Sequence, residues 1–214
     1  MQGPRNGEGA RPPPKDRHKQ PAQTIVTAPP PTSTSASQPQ GGPPKPLALG
    51  DPKIVVGVAD LAVAKDPTKS IVTYALGSCI GVTIFDPVSR VGGMLHFMLP
   101  EGKTSPEKAA ANPAMFADAG VPQLFQRAYK LGAEKSKLIV CAAGGAEILA
   151  EDGHFRIGSR NRTMLRKIFW QNNVLLSADD TGGNHSRTMT LSLKDGTVSI
   201  RSQGKEAVLW APAA

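Results

Sequence analysis

Short apolar segments separated by glycine, proline and aspartate run through residues 51–214, and this pattern predicts a fold rich in β-sheet. Each segment is rich in Val, Ile, Leu or Thr, the residues that favour strands, and turn-forming residues bound it. The predicted strands cover residues 53–58, 70–76, 79–85, 90–99, 137–143, 173–179, 187–193 and 197–202. The last two flank the tripeptide KDG, which predicts a tight hairpin because glycine readily adopts positive φ.

Two segments have the periodicity of amphipathic helices. Residues 122–131 begin with proline and end just before glycine, and residues 159–171 place apolar side chains on one face and Arg162 and Arg166 on the other. A weaker pattern, PEKAAANPAMFADA, predicts a third helix. Because strands and helices do not strictly alternate, we expect an α+β fold, a layered β-sandwich with helices packed on an outer face.

Composition divides the chain near residue 50. Residues 1–50 contain twelve of the twenty prolines and almost no large apolar side chains. Such a segment cannot bury enough surface to offset the entropy of ordering it, so we expect residues 1–50 to be a disordered, basic, Pro-rich extension. Residues 51–214 are long enough to form a single domain with its own core.

Charge and cysteine content exclude several classes of protein. The net charge of +8 is shared evenly between the extension and the domain, which argues against a nucleic-acid-binding surface. No run of about 18 apolar residues is present, so we expect no membrane insertion. The two cysteines, Cys79 and Cys141, occur in different contexts without a CxxC motif, which favours a reduced, cytoplasmic protein.

One cysteine and one histidine are expected to meet in a hairpin. The strands 79–85 and 90–99 are separated by the four residues DPVS, and pairing Phe85 with Arg90 makes opposed residue numbers add to 175. Cys79 then lies directly opposite His96, on the same face of the sheet. A slip of one residue would separate them onto opposite faces.

This pairing would suit nucleophilic catalysis. A neighbouring imidazole can take the thiol proton of Cys79, and the preceding Gly77 and Ser78 allow a tight bend that aims backbone N–H groups at a developing oxyanion. Taken alone, the pattern more often indicates a small buried cysteine and a hydrogen-bonded core histidine. Cys141, inside the continuous apolar segment KLIVCAA, is predicted to be a core residue.

A resemblance to a known family favours the catalytic interpretation. The segment TYALGSCIGVTIFDPVSRVGGMLHFMLP closely resembles the signature of the CheD family of chemoreceptor glutamine deamidases. The similarity continues, in order, through FADAGVPQLFQRAYKLGAEKSKL, GGAEIL, IGSRN and DTGG, and it spans roughly residues 53–203. The extension before residue 51 is not covered.

The resemblance implies a reaction and its residues. It implies a protein-glutamine deamidase that converts glutamine side chains of chemoreceptor cytoplasmic helices to glutamate, with Cys79 as nucleophile, His96 as base and Thr73 orienting His96. It implies no cofactor and no metal, and a zinc site from the Cys and His residues lacks ligands at the usual short spacing. A CheC-type phosphatase is implied as a possible partner.

Surface contacts are less clearly indicated. The chain departs from the family pattern at GGNHSRT, so Asn184 and His185 are candidate substrate or partner contacts. The basic side chains of Arg162 and Arg166 are candidates for steering an acidic receptor helix. Two alternative functions remain: a non-enzymatic chemotaxis adaptor that binds a CheC-type phosphatase and receptors, and a receptor methylesterase that uses the same thiol.

Overall fold

Two five-stranded sheets dominate the computed structural model, which describes residues 52–147 and 156–213. Their strands are β1 (Lys53–Val55), β2 (Asp60–Ala64), β3 (Ser70–Leu76), β4 (Ile80–Asp86), β5 (Val91–Phe97), β6 (Ile139–Gly144), β7 (Ala178–Thr181), β8 (Arg187–Ser192), β9 (Val198–Ser202) and β10 (Lys205–Trp210). The helices longer than one turn are α1 (Pro106–Ala111), α2 (Ala117–Lys130) and α3 (Ile157–Gln171). The expected disordered extension lies outside the described residues.

The sheets pack face to face with helices on one side. The first sheet has the strand order β1-β3-β8-β9-β10 and the second has the order β2-β5-β4-β6-β7. Apolar side chains from both sheets, including Leu76, Met94 and Met189, fill the space between them. A second core joins the other face of the second sheet to helices α2 and α3. The predicted α+β sandwich with helices on an outer face is confirmed.

Burial follows from this layering. Every residue of β4 and β5 is buried, because the first sheet covers one face of these strands and the helices cover the other. Strand β8 lies in the first sheet, whose outer face is not covered by any of the described helices. Its side chains alternate between buried and half-buried. This difference explains why β4 and β5 are continuous apolar segments in the sequence.

Several predicted element boundaries are wrong. Strands β2 and β10 were not predicted, and the predicted strand 173–179 is a strand only from Ala178. Helix α2 begins five residues before Pro122 because the Leu99 carbonyl accepts the Ala117 N–H group at 2.9 Å. This contact comes from another part of the chain, so the local pattern could not reveal it. The KDG hairpin between β8 and β9 is confirmed, with φ of +83° at Gly196.

The hairpin between β4 and β5 has the predicted loop length but a shifted register. Asp86 pairs with Val91, so the loop consists of residues 87–90 and opposed residue numbers add to 177. The Asp86 carboxylate accepts the Val88 N–H group at 2.8 Å, and Arg90 has φ of +60°. This side-chain contact makes Asp86 the last strand residue and moves the turn one position along the chain. The predicted direct pairing of Cys79 with His96 is therefore wrong.

Candidate active site

Cys79 lies where the chain crosses from one sheet to the other. Strand β3 of the first sheet ends irregularly: its register against β8 shifts after Thr73, and Ala75 has φ of +56°. The Gly77 N–H group then donates to the Ala75 carbonyl at 2.8 Å, which closes a tight turn. Cys79 follows and precedes the first residue of β4 in the second sheet. The expected bend before Cys79 is therefore present.

The carbonyl groups of this bend accept hydrogen bonds from more distant parts of the chain. The carbonyls of Gly77 and Cys79 accept the N–H groups of Ala146 and Gly145, at 2.8 and 2.7 Å. The carbonyl of Ser78 accepts the side-chain amide of Asn161, Nδ2, at 3.0 Å. Among the described residues, no carbonyl accepts the N–H groups of Ser78 or Cys79. These two donors therefore remain free for an acceptor beside the thiol.

A hydrogen-bonded pair connects the two sheets: Thr73 of β3 in the first sheet and His96 of β5 in the second. Thr73 and His96 are both fully buried, and Thr73 Oγ1 lies 2.7 Å from His96 Nδ1 and 2.8 Å from the carbonyl oxygen of Val56. The carbonyl oxygen can only accept, so the single hydroxyl proton of Thr73 goes to Val56. His96 Nδ1 must then carry a proton and donate it to Thr73. In the neutral ring this leaves Nε2 as a free acceptor.

The free ring nitrogen of His96 is left without a partner in the part of the chain that the structure describes. His96 Nε2 is buried and forms no hydrogen bond with any described residue. A buried acceptor without a donor costs about 1–3 kcal/mol. A buried acceptor left open in this way makes His96 a candidate general base.

The two-residue shift of register keeps Cys79 and His96 on one face. His96 pairs directly with Gly81, which has no side chain, and Cys79 precedes Gly81 by two residues. Side chains two positions apart share a face, so Cys79 becomes a diagonal neighbour of His96, at a typical backbone separation of about 7 Å. Cys79 packs against the core between the sheets, to which Met94 of β5 also contributes.

Burial sets the protonation states of this pair. Desolvation lowers the pKa of His96 to about 4 and raises the pKa of the Cys79 thiol. Both shifts favour the uncharged forms, because each charged form would lose hydration in the core. At neutral pH the pair is therefore a thiol and a neutral imidazole.

Comparisons with known proteins show the family to which the chain belongs. The family model described as CheD chemotactic sensory transduction matches residues 98–202. The probable chemoreceptor glutamine deamidase CheD 1 of Syntrophus aciditrophicus is 49% identical over 156 residues, which are 73% of this chain and 96% of that protein. The chain belongs to the CheD family. The Solibacter usitatus relative, named probable chemoreceptor glutamine deamidase CheD, is 44% identical over 73% of this chain and 93% of its own length. The Anaeromyxobacter dehalogenans relative, named probable chemoreceptor glutamine deamidase CheD 2, is 46% identical over 73% of this chain and 98% of its own length.

The basic residues named from the CheD resemblance differ in exposure. Arg162 was predicted to point outward, but its side chain is only 27% exposed and lies 3.3 Å from the Glu147 carboxylate. It packs so closely against Gly145 and Gly182 that a β-carbon at either glycine would collide with it. Arg166 is 65% exposed and lies 3.5 Å from Asp179. Arg162 therefore supports the loops beside the bend, whereas Arg166 is a surface residue as predicted.

The segment that departs from the CheD pattern borders the same loops. Asn184 is exposed and His185 is half-buried, and the Gly183 carbonyl accepts the Glu147 N–H group at 2.9 Å. The carbonyl of His185 accepts the side chain of Arg187, which also forms a two-contact ion pair with Asp180. The structure thus connects this segment to the chain that supports Cys79, through residues 144–147.

The second cysteine, Cys141, lies in the core. Cys141 is fully buried between the sheets, and burial raises the pKa of its thiol to about 11, so its predicted core position is confirmed. Within residues 52–147 and 156–213, no group of three His, Cys, Asp or Glu side chains is arranged to hold a metal. None of the helices in those ranges has the length and hydropathy needed to cross a bilayer.

Sequence reasoning gave no role to Asn161. In the structure, its side chain contacts both the segment that carries Cys79 and the segment that carries His96. The residue is fully buried, and besides Ser78 it donates to the Met98 carbonyl at 2.8 Å. The signal was present in the sequence: Asn161 lies four residues before Leu165, so it is a polar residue on the apolar face of α3. Buried amides at such positions are retained for specific hydrogen bonds.

Proposed function

We propose that the protein is a protein-glutamine deamidase, an amidohydrolase that converts glutamine side chains of chemoreceptors to glutamate in the cytoplasm. The observation that carries the proposal is the buried, unpartnered Nε2 of His96, held in that tautomer by Thr73 and on the same face as the Cys79 thiol. The names of the relatives support the same activity and the same class of substrate.

The reaction begins with a neutral nucleophile. As the Cys79 sulfur attacks the carboxamide carbon of glutamine, His96 Nε2 takes the thiol proton and an S–C bond forms. The pKa of His96 is low in the resting protein, so its protonated form is a strong acid at neutral pH. It therefore gives the proton readily to the departing nitrogen, and ammonia leaves as the C–N bond breaks.

Hydrolysis completes the cycle with the same groups. Water attacks the thioester carbon, His96 Nε2 accepts the water proton, and the proton then returns to the Cys79 sulfur as the S–C bond breaks. The product is glutamate, and each step is an acyl or proton transfer. Thr73 keeps the proton on Nδ1 throughout, so that Nε2 alone exchanges protons.

The oxyanion would be stabilised by the bend itself. The N–H groups of Ser78 and Cys79 have no carbonyl partner among the described residues. The carbonyls of the same bend all accept hydrogen bonds from other parts of the chain. Fixed backbone donors of this kind stabilise negative charge as it develops on the carbonyl oxygen, without reorganisation during the reaction. Gly77 supports the turn but supplies no donor, since its N–H group binds Ala75.

A groove beside α3 is suited to an acidic helical substrate. It is lined by Pro100 and Glu101, which follow β5, and by Arg160, Met164 and Lys167 on α3. Arg160 and Lys167 are exposed. A hydrogen bond with Lys103 lowers the pKa of the Glu101 carboxyl, and the positive charges of Lys167 and Arg160 add to this effect. The groove thus begins near the strand that carries His96 and extends along a basic helix face, where it would attract a glutamate-rich receptor segment.

Reversing the charge of this face should slow receptor modification at low salt. We expect the Arg160→Glu/Lys167→Glu variant to lower kcat/KM about 10-fold or more at low ionic strength, with a smaller effect at high salt, because screening weakens charge steering. Lys194→Glu is the matched control, since Lys194 lies in the β8–β9 turn at the end of the sandwich away from Cys79. Equal salt dependence of both variants would contradict the prediction.

Removing the Thr73 hydroxyl should disturb the tautomer of His96. We expect Thr73→Val to lower kcat by roughly 10²-fold, because the imidazole loses the group that fixes its orientation and its proton. Thr73→Ser keeps the hydroxyl and should retain most of the activity. Thr83→Val is the matched control: Thr83 is also a buried strand threonine, 1% exposed, but its hydroxyl contacts Cys141. Loss of activity in Thr83→Val equal to that in Thr73→Val would show a general effect of burial.

The decisive experiment is mass spectrometry of a receptor fragment. The purified protein is incubated with the cytoplasmic fragment of a chemoreceptor from the same cell, and peptides are searched for gains of about 1 Da at glutamine, since deamidation replaces NH₂ by OH. Ammonia released in equal amount would support the proposal. Receptor fragments whose mass stays unchanged would contradict the proposed function.

The same experiment separates the alternatives. Loss of a methyl group from methylated glutamates, with glutamines unchanged, would indicate a methylesterase. Binding of receptor or of a CheC-type phosphatase without any mass change would indicate an adaptor. The deamidase is preferred because an adaptor would not need a buried histidine nitrogen without a hydrogen-bond partner among the described residues.

A further inference from the structure

We propose that Asn161 is a positioning residue that sets the geometry between Cys79 and His96. The inference rests on the proposed function and adds a residue from a distant part of the chain. Asn161 lies on α3, and its Nδ2 group donates to the carbonyl of Ser78 at 3.0 Å and to the carbonyl of Met98 at 2.8 Å. Ser78 immediately precedes Cys79, and Met98 follows His96 by two residues.

The orientation of the amide is fixed by its partners. Both neighbours are carbonyl oxygens, which accept and cannot donate, so the NH₂ group of Asn161 must face them. Turning the amide over would place its oxygen against two other oxygens. The two protons of one NH₂ group therefore join the chain segment that carries the thiol to the segment that carries the imidazole.

The contact with Ser78 also orients the neighbouring donor. In a trans peptide the C=O and N–H groups point in opposite directions. Because Asn161 holds the Ser78 carbonyl on the α3 side, the N–H group of Cys79 points away from α3 and towards the thiol side of the bend. Asn161 thus acts on both elements of the site, the thiol–imidazole approach and the proposed oxyanion donor.

The backbone hydrogen bonds of the bend do not replace the two hydrogen bonds of Asn161. Gly145 and Ala146 hold the carbonyls on either side, those of Cys79 and Gly77, but they do not contact the β5 segment through these bonds. Asn161 is fully buried and its Oδ1 atom has no partner among the described residues. An unsatisfied buried acceptor destabilises the fold by about 1–3 kcal/mol, and the two bonds of Nδ2 to the active-site segments offset this cost.

The test separates positioning from stability. Asn161→Ala removes both bonds, and Asn161→Asp keeps the shape but replaces the donor with acceptor oxygens. Leu165→Ala is the control, since Leu165 lies on the same helix, is 2% exposed and packs in the core between α3 and the second sheet. We expect all three variants to be destabilised, so each is assayed well below its own melting temperature. Deamidation of the receptor fragment gives kcat and KM separately.

We expect both Asn161 variants to lower kcat about 100-fold with KM changed less than about twofold, because small misplacement of reacting groups slows chemistry without affecting substrate contacts. Leu165→Ala should keep near-normal kcat. Equal kcat losses in Asn161→Ala and Leu165→Ala would overturn the proposal. So would the failure of both Asn161 variants to fold at the assay temperature, since Asn161 would then act through stability alone.

A second measurement needs no receptor. In a single turnover with p-nitrophenyl acetate, His96 Nε2 takes the thiol proton as the Cys79 sulfur forms a bond to the acetyl carbon. The ester bond then breaks to release nitrophenolate, and the imidazole loses its extra proton to solvent. We expect Asn161→Ala to slow this release at least about 10-fold relative to Leu165→Ala, by the same loss of alignment. If the receptor fragment stays unmodified by the wild-type protein, the proposed function fails, and this measurement still decides the role of Asn161: equal rates reject it.

Discussion

Replacing Cys79 with alanine is expected to abolish glutamine deamidation, with a loss of about 10⁶-fold that is comparable to removal of other covalent nucleophiles. No other described group is placed to form the bond to the carboxamide carbon, since Cys141 is fully buried and burial raises the pKa of its thiol to about 11. The measurement is the rate of glutamate formation in the receptor fragment, followed by peptide mass spectrometry.

Cys141→Ala is the matched control for this loss. It also removes a thiol from the space between the sheets, but from strand β6, where it contacts Thr83. We expect this variant to keep the wild-type rate at a temperature where it is folded, because Cys141 takes no part in the proposed reaction. Persisting deamidation in Cys79→Ala, or equal loss in both variants, would exclude Cys79 as the nucleophile.

Replacing His96 with asparagine is expected to lower kcat by about 10³- to 10⁴-fold, the upper range for loss of a general base. The asparagine amide lies close to the position of Nδ1 and can still donate to Thr73, so the contact between the sheets is retained. What disappears is the acceptor corresponding to Nε2, and the Cys79 thiol then has no group to take its proton. A His96→Asn variant that folds and retains activity would contradict the mechanism.

The pH dependence of the wild-type protein gives an independent check. Since burial lowers the pKa of His96 to about 4, the imidazole stays neutral well below the pH at which an exposed histidine is protonated. We expect kcat/KM to fall on the acid side with an apparent pKa near 4, and His96→Asn to lack this acid limb in its residual rate. An acid limb near the ordinary histidine pKa of about 6.5 would contradict the buried, neutral base.

The same shift links His96 to stability. Its pKa is lower in the folded chain than in the unfolded chain, so between about pH 6.5 and 4 the unfolded chain binds more protons. The free energy of unfolding is therefore highest above pH 6.5 and decreases as the pH falls, by about 3 kcal/mol for the full shift. His96→Asn should lose less stability than the wild type over this range in thermal melts.

Part of the site could be derived from the sequence because it depends on local geometry. A four-residue loop between two apolar strands was enough to place Cys79 and His96 on one face, and the shift of two residues preserved that result. Alternation along a strand makes the face insensitive to a shift by an even number of residues. The exact partner of His96 was missed because it depends on the contacts of the Asp86 carboxylate, which also accepts the Glu134 N–H group from a distant loop.

The outward position predicted for Arg162 failed for a related reason. Arg162 lies three residues before Leu165, so helical periodicity places it at the edge of the apolar face and not opposite it. It does not show that the glycine loops around Gly145 and Gly182 pack there. Those loops leave room for the arginine side chain only because they have no β-carbons. Periodicity describes one helix, whereas burial depends on what packs against it.

The sequence by itself determined the layered α+β fold, the family, and the identity of Cys79, His96 and Thr73 as candidates, because apolar periodicity and local motifs are properties of short segments. Only the tertiary structure decided how these groups are arranged. Thr73 meets His96 across 23 positions and Asn161 meets Ser78 across 83, and both contacts form only when separate layers pack together. The protonation of the imidazole, its low pKa and the free donors of the bend all follow from that packing, because burial and hydrogen-bond partners are set by residues distant in the chain.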